Sequence, residues 1–138
     1  MSFDFAVWEG PAPASHDEGF ATYEALSTQY LESDNATPPT PGIAAFVAAL
    51  KTEFPGDTDE DLDASPWVSW PLEADASGPI MYSGVRWPRA EDMNARITEL
   101  TTQMGLVHYD PQADRVATPL GTPSHTEAPT KKRSWWLR

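Results

Sequence analysis

The chain contains 138 residues without cysteine, and its 21 acidic and 9 basic residues give a formal net charge of −12. A chain of this length suits one domain and leaves little room for a second core. The lack of cysteine excludes disulfides, thiolate nucleophiles and zinc–thiolate sites, and the negative charge argues against direct binding of the domain to nucleic-acid phosphates.

The first half of the chain predicts one strand followed by two helices. Residues 3–8 are rich in β-forming side chains, so we expect a first strand there. Apolar side chains recur at helical spacing from about Glu18 to Leu31, which predicts the first helix. The second helix is expected to begin at Pro41, after Thr40 as its N-cap, and to end at Pro55.

The second half predicts a helix between two strands. Residues 57–66 are expected to form an acidic loop, and residues 67–72 an edge strand or a loop because prolines flank them. Residues 79–87 suit a strand, and a helix should begin at Pro88. Residues 106–109 suit the next strand.

This order of elements predicts an α+β fold. We expect a ferredoxin-like sandwich, with an antiparallel sheet of three to four strands and about three helices on one face. The predicted domain spans residues 1–112, followed by a Pro-rich linker over 113–130 and a basic tail over 131–138. A short edge strand at residues 114–118 is also compatible with the pattern.

The charges are distributed unevenly along the chain. Residues 1–85 hold 15 acidic residues and a single basic one, Lys51. A surface this negative attracts basic proteins and accelerates their encounter, although it also serves solubility.

The acidic segment supplies the candidate partner-binding residues. Its alternating carboxylates resemble a calcium loop, but Leu62 stands where that loop requires glycine and Val68 where it requires glutamate. We therefore predict a docking surface for a basic protein, with neighbouring tryptophans providing buried contact area. The candidates are Asp57, Asp59, Glu60, Asp61, Asp63, Trp67 and Trp70.

Nothing in the sequence indicates an enzyme. His16, His108 and His125 lack metal-ligand spacing, and there is no nucleophile elbow or phosphate-binding glycine loop, so we predict no catalytic residue, metal or cofactor. Trp8 and Trp87 are expected in the core. The alternative is a small-ligand-binding protein or enzyme with a pocket on the sheet face around Trp87 and His108.

The tail combines basic residues with two adjacent tryptophans. We expect it to dock onto the acidic surface of its own domain or of a second copy, which would give a homo-oligomer. There are three other interpretations: the tail contacts an anionic membrane, it contacts a nucleic acid, or it is disordered. The candidate contact residues are Lys131, Lys132, Arg133, Trp135 and Trp136.

The sequence contains no apolar run of the roughly 18 residues needed to span a bilayer. Residues 1–10 contain no basic leader and no apolar stretch typical of a signal peptide. We therefore expect a cytoplasmic protein.

Four motifs carry a resemblance to a known family. They are FDFAVW at residues 3–8, SPW at 65–67, YSGVRW at 82–87 and GLVHYDPQ at 105–112. Over residues 2–112 the chain resembles a loosely defined family of small acidic bacterial proteins, similar in size and charge to immunity proteins of polymorphic toxin systems. The resemblance implies neutralisation of a toxin by binding and supplies no catalytic residue.

These observations favour an immunity protein or antitoxin that neutralises a basic toxin by occlusion. Two alternatives stay open at this point. One is the small-ligand protein or enzyme with the sheet-face pocket. The other is an acidic mimic of nucleic acid that inhibits a DNA or RNA enzyme.

Overall fold

The computed structural model describes residues 2–32, 37–113 and 115–117. The helices are α1 (His16–Leu26), α2 (Pro41–Glu53), α3 (Asp59–Ala64) and α4 (Ala90–Met104). The strands are β1 (Ser2–Trp8), β2 (Ala76–Ser77), β3 (Ile80–Arg86), β4 (Val107–Asp110) and β5 (Arg115–Val116). A π-helical turn (Ser27–Leu31) continues α1, and short 3₁₀ turns (Leu72–Asp75 and Trp87–Arg89) precede β2 and α4.

The strands form one antiparallel sheet in the order β2-β3-β1-β4-β5. Strand β1 lies at its centre and pairs along its whole length with β3, from Ser2 opposite Arg86 to Trp8 opposite Ile80. Its second half also pairs with β4. The predicted α+β class and antiparallel sheet are therefore confirmed.

Both faces of the sheet are buried. Phe3, Phe5 and Val7 point to one face, which we call the first face, and pack in a core with α2 and α4. Ala6 and Trp8 point to the opposite, second face, where α1 and its π-helical turn cover the sheet.

The prediction that about three helices share one face is therefore wrong. The physical reason is visible in β1, where the apolar side chains occupy both alternating sets of positions from Phe5 onward. Two apolar faces require two helical layers.

The helices that the sequence pattern marked most clearly are confirmed. Helix α2 buries Ile43, Phe46, Val47 and Leu50, and its N-cap Thr40 accepts a hydrogen bond from the backbone of Ile43 at 3.5 Å. Helix α4 buries Met93, Ile97, Leu100 and Thr101 and ends at Gly105, whose φ of 71° is the left-handed conformation that glycine tolerates best.

The acidic loop expected at residues 57–66 needs correction, whereas the segment that follows it takes the loop alternative of its prediction. The acidic segment is a helix, α3, because Thr58 caps it and three carboxylates in its first turn complement the helix dipole. The segment after it is no strand. It contributes a single bridge from Trp67 to Val85.

The sheet extends past residue 112, the predicted end of the domain, because β5 pairs with β4. The residues proposed for the tail contact, from Lys131 to Trp136, lie outside the described residues. Within the described part of the chain, no helix is both long enough and apolar enough to cross a bilayer.

Two tryptophans test the assignment of the core. Trp67 is fully buried and its indole N–H donates to the carbonyl of Phe54 at 2.8 Å, whereas Trp87, expected in the core, is 52% exposed. We expect Trp67→Ala to lower the free energy of unfolding by about 3–5 kcal/mol. The matched control Trp87→Ala should cost about 1 kcal/mol or less. Urea denaturation measures both, and equal losses would contradict this assignment.

Candidate functional site

The first candidate site is the surface of α3, which we call the acidic surface. The acidic side chains of this surface are exposed, except for that of Asp61, which is half-buried. The hydroxyl of Thr58 accepts a hydrogen bond from the backbone of Asp61 at 3.0 Å and so caps the helix. The acidic surface consists of Asp57, Asp59, Glu60, Asp61 and Asp63.

Arg86 holds this short helix against the sheet. Its guanidinium donates to the carbonyl oxygens of Asp63 at 3.1 Å and Leu62 at 3.3 Å. These carbonyls belong to the last turn of α3, where a cation also complements the helix dipole. The backbone of Arg86 donates to the carbonyl of Pro66 at 2.6 Å. The acidic surface therefore has a fixed position relative to β3.

The basic side chains that make ion pairs in the described part of the chain do so elsewhere. Arg96 pairs with Glu53 at 2.8 Å and with Glu99 at 2.6 Å. Lys51 pairs with Glu73, which raises the pKa of Lys51, and Asp57 adds a smaller effect in the same direction. None of these ion pairs between described residues includes a carboxylate of the acidic surface.

The two tryptophans predicted to accompany these carboxylates are not both on the surface. Trp67 is a core residue, as its burial shows, so its prediction as a binding contact is wrong. Trp70 is half-buried: it packs against Gly56, where an added Cβ would lie 2.9 Å from the indole ring, and Lys51 Nζ lies 5.9 Å from its ring centre. Trp70 therefore offers only part of its surface to a partner.

The sequence did not identify the exposed apolar side chains beside α3. Val68 is 50% exposed, and its backbone N–H donates to the carbonyl of Gly84 on β3 at 3.2 Å. Trp87 follows Arg86, the residue that contacts the end of α3. Val68 follows α3 by four residues and Trp87 follows Arg86, so both are close along the chain to residues at the C-terminal end of α3, and we call them the apolar pair.

The structure does not bring Trp87 and His108 together. Trp87 follows the end of β3 that pairs with Ser2, whereas His108 pairs with Val7, near the other end of β1. His108 is buried against the Phe5 ring, with 6.1 Å between ring centres, and its Nδ1 lies 3.0 Å from the Thr98 hydroxyl. Burial lowers the pKa of His108 to about 4, so the ring is neutral at pH 7.

A second candidate site lies on the second face, and sequence reasoning missed it. It is a groove of about 290 Å³ between the π-helical turn, the 3₁₀ turn before β2, and β3. Tyr23 lies within the predicted first helix, and nothing in the sequence connects it to residues fifty positions away. The groove is lined by Tyr23, Ser27, Leu31, Ala74, Asp75 and Tyr82.

Two carboxylates organise the groove. Asp75 Oδ2 accepts hydrogen bonds from the hydroxyls of Ser69 at 2.9 Å and Ser83 at 2.8 Å. The Tyr82 hydroxyl donates to Asp4 Oδ2 at 3.0 Å. Burial, with the Asp4 carboxylate second, raises the pKa of Tyr82, so its phenol stays protonated. Among the described residues, no three histidine or acidic side chains converge on a position that a metal could occupy.

The burial of His108 makes stability depend on pH. Between its ordinary pKa of 6.5 and its folded pKa of about 4, the unfolded chain binds a proton that the folded chain excludes. Stability from this group is present above that window and is lost as the pH falls through it, by about 2 kcal/mol from pH 7 to pH 5. His108→Gln should remove this part of the pH dependence in denaturation experiments. An unchanged slope in the variant would contradict it.

Comparison of the chain with protein-family models, with curated proteins and with solved structures gives no match. The resemblance to immunity proteins therefore stays a prediction that rests on the sequence motifs. The features of this chain that bear on its function are the acidic surface, the apolar pair and the groove.

Proposed function

We propose that this chain is a cytoplasmic protein-binding module, and most concretely an immunity protein or antitoxin that occludes the site of a basic toxin. The observation that carries the proposal is the acidic surface, because its exposed carboxylates Asp59, Glu60 and Asp63 have no ion-pair partner among the described residues. A partner that supplies lysine or arginine side chains would complete these pairs.

The acidic surface and the apolar pair have different tasks in this mechanism. The carboxylates increase the rate of encounter with a basic partner and orient it, an effect that salt weakens. Val68 and Trp87, each about half exposed, then lose water against the partner and supply the short-range contact energy. Because Arg86 fixes α3 to the sheet, little conformational entropy is lost on binding.

The described histidines support a binding role over an enzymatic one. His108 is buried and neutral in the first-face core. His16 Nδ1 accepts the backbone N–H of Val116 at 3.0 Å and so joins α1 to β5. Both rings serve the fold, and neither lines the groove.

We also propose a ferredoxin-like arrangement for the sheet and the first face. Strand order β2-β3-β1-β4, with α2 leading towards β2 and α4 between β3 and β4, supports it. Helix α1 on the second face and strand β5 would then be additions to that arrangement.

Charge reversal on α3 tests the binding site. Asp59→Lys with Glu60→Lys should abolish capture of the basic partner from a lysate of the native host, because both carboxylates are exposed in the first turn of α3. With the purified partner, we expect affinity to fall by at least about a hundredfold at physiological salt, as close charge pairs turn from attractive to repulsive.

Helix α4 offers a matched control for this experiment. Glu91→Lys with Asp92→Lys makes the same change of charge at exposed positions in the first turn of another helix. This control should retain the partner with nearly unchanged affinity. If both double variants lose the partner equally, the acidic surface is not the docking site and only net charge matters.

For the immunity role, co-expression of the wild-type chain should restore growth that the captured partner arrests.

A further inference from the structure

The tyrosine-lined groove is separate from the acidic surface and has its own chemistry. Its wall contains the rings of Tyr23 and Tyr82, whose centres lie 6.1 Å apart with 29° between the ring planes. Two nearly parallel phenols beside Leu31 give the groove an apolar side that suits a flat or short apolar group. Irregular π-helical turns such as Ser27–Leu31 occur frequently at functional sites.

The polar side of the groove is negatively charged. Asp75 Oδ2 is occupied by two serine hydroxyls, while Oδ1 has no hydrogen-bond partner among the described residues. These two hydroxyls hold the half-buried carboxylate in place through one of its oxygens. Among the described residues, no basic side chain lines the groove. A ligand without a donor for Asp75 would displace water from the carboxylate and leave its hydration free energy uncompensated. A cation would donate to the carboxylate in place of that water.

We infer that the groove binds a small organic cation, a primary ammonium or guanidinium group attached to a flat apolar body. The cationic group would donate to Asp75 Oδ1, and the apolar body would lie against Tyr23, Tyr82 and Leu31. Aromatic rings also attract cations. The rings of Tyr23 and Tyr82 would therefore favour the cationic group as well as the apolar body of the ligand. This inference is independent of the proposed partner, since it uses no residue of the acidic surface.

Other ligand classes fit the groove less well. An anion would meet the Asp75 carboxylate, and no basic residue in the described lining offsets that charge. A divalent metal would find a single carboxylate among the described lining residues, fewer ligands than such ions require.

Benzylammonium is the test probe, and benzyl alcohol is its neutral counterpart of similar shape. In ¹H–¹⁵N NMR titrations of the full chain, benzylammonium should shift the backbone resonances of Ser27, Asp75 and Tyr82. Its Kd should be lower than that of benzyl alcohol by about tenfold, the usual effect of a charge-assisted hydrogen bond. Equal affinities, or shifts confined to another surface, would overturn the inference.

Variants distinguish a direct contact of the ligand with Asp75 from a general attraction to the negative charge of the protein. Asp75→Asn should weaken benzylammonium binding about tenfold, while Asp59→Asn, which removes the same charge outside the groove, should change it by less than about twofold. Ala74→Phe fills the groove from an exposed position without touching the Asp75 hydrogen bonds, and should abolish binding even if Asp75→Asn fails to fold. Equal effects of the two aspartate variants, or full binding by Ala74→Phe, would contradict the site.

Discussion

The burial of β1 on both faces of the sheet is the constraint on which the rest of the structure depends. Phe5 and Val7 require cover on the first face, and Trp8 requires it on the second. Helix α1 therefore lies on the second face and α2 on the first, after which residues 57–75 lead the chain back along the open side of β3. This returning segment carries the acidic surface near its start and contributes Ala74 and Asp75 to the groove at its end.

Two hydrogen-bond donors fix the returning segment where it passes β3. The indole of Trp67 donates to the carbonyl of Phe54, and the guanidinium of Arg86 donates to the last carbonyls of α3. Backbone carbonyls near a core need such partners, because burial without them is costly. The result is a set of charges on a positioned helix. A partner can therefore meet a preformed surface, with less ordering on binding than a flexible acidic loop would require.

How well the sequence predicts a feature depends on how close along the chain the residues that determine it lie. Helices α2 and α4 have local apolar stripes and local caps, so their prediction was confirmed. Helix α3 was predicted as a loop because its composition is acidic, although the capping residue Thr58 was a local sign of a helix. The burial of Trp67 depends on non-local contacts, including its acceptor on Phe54, and the groove combines three segments that no sequence period connects.

Charge on α3 attracts any basic protein, so it cannot select one partner by itself. Selection needs contacts that exclude water, and the exposed apolar side chains of Val68 and Trp87 are candidates for them. This combination favours a compact protein partner over mimicry of nucleic acid. Helix α3 has six residues, a length of about 9 Å. That length corresponds to roughly three base-pair steps of duplex, whereas a mimic needs carboxylates spaced along a much longer track of phosphates. A basic face that carries an apolar recess at its edge fits the observed surface better, because it uses both the carboxylates and the exposed halves of Val68 and Trp87.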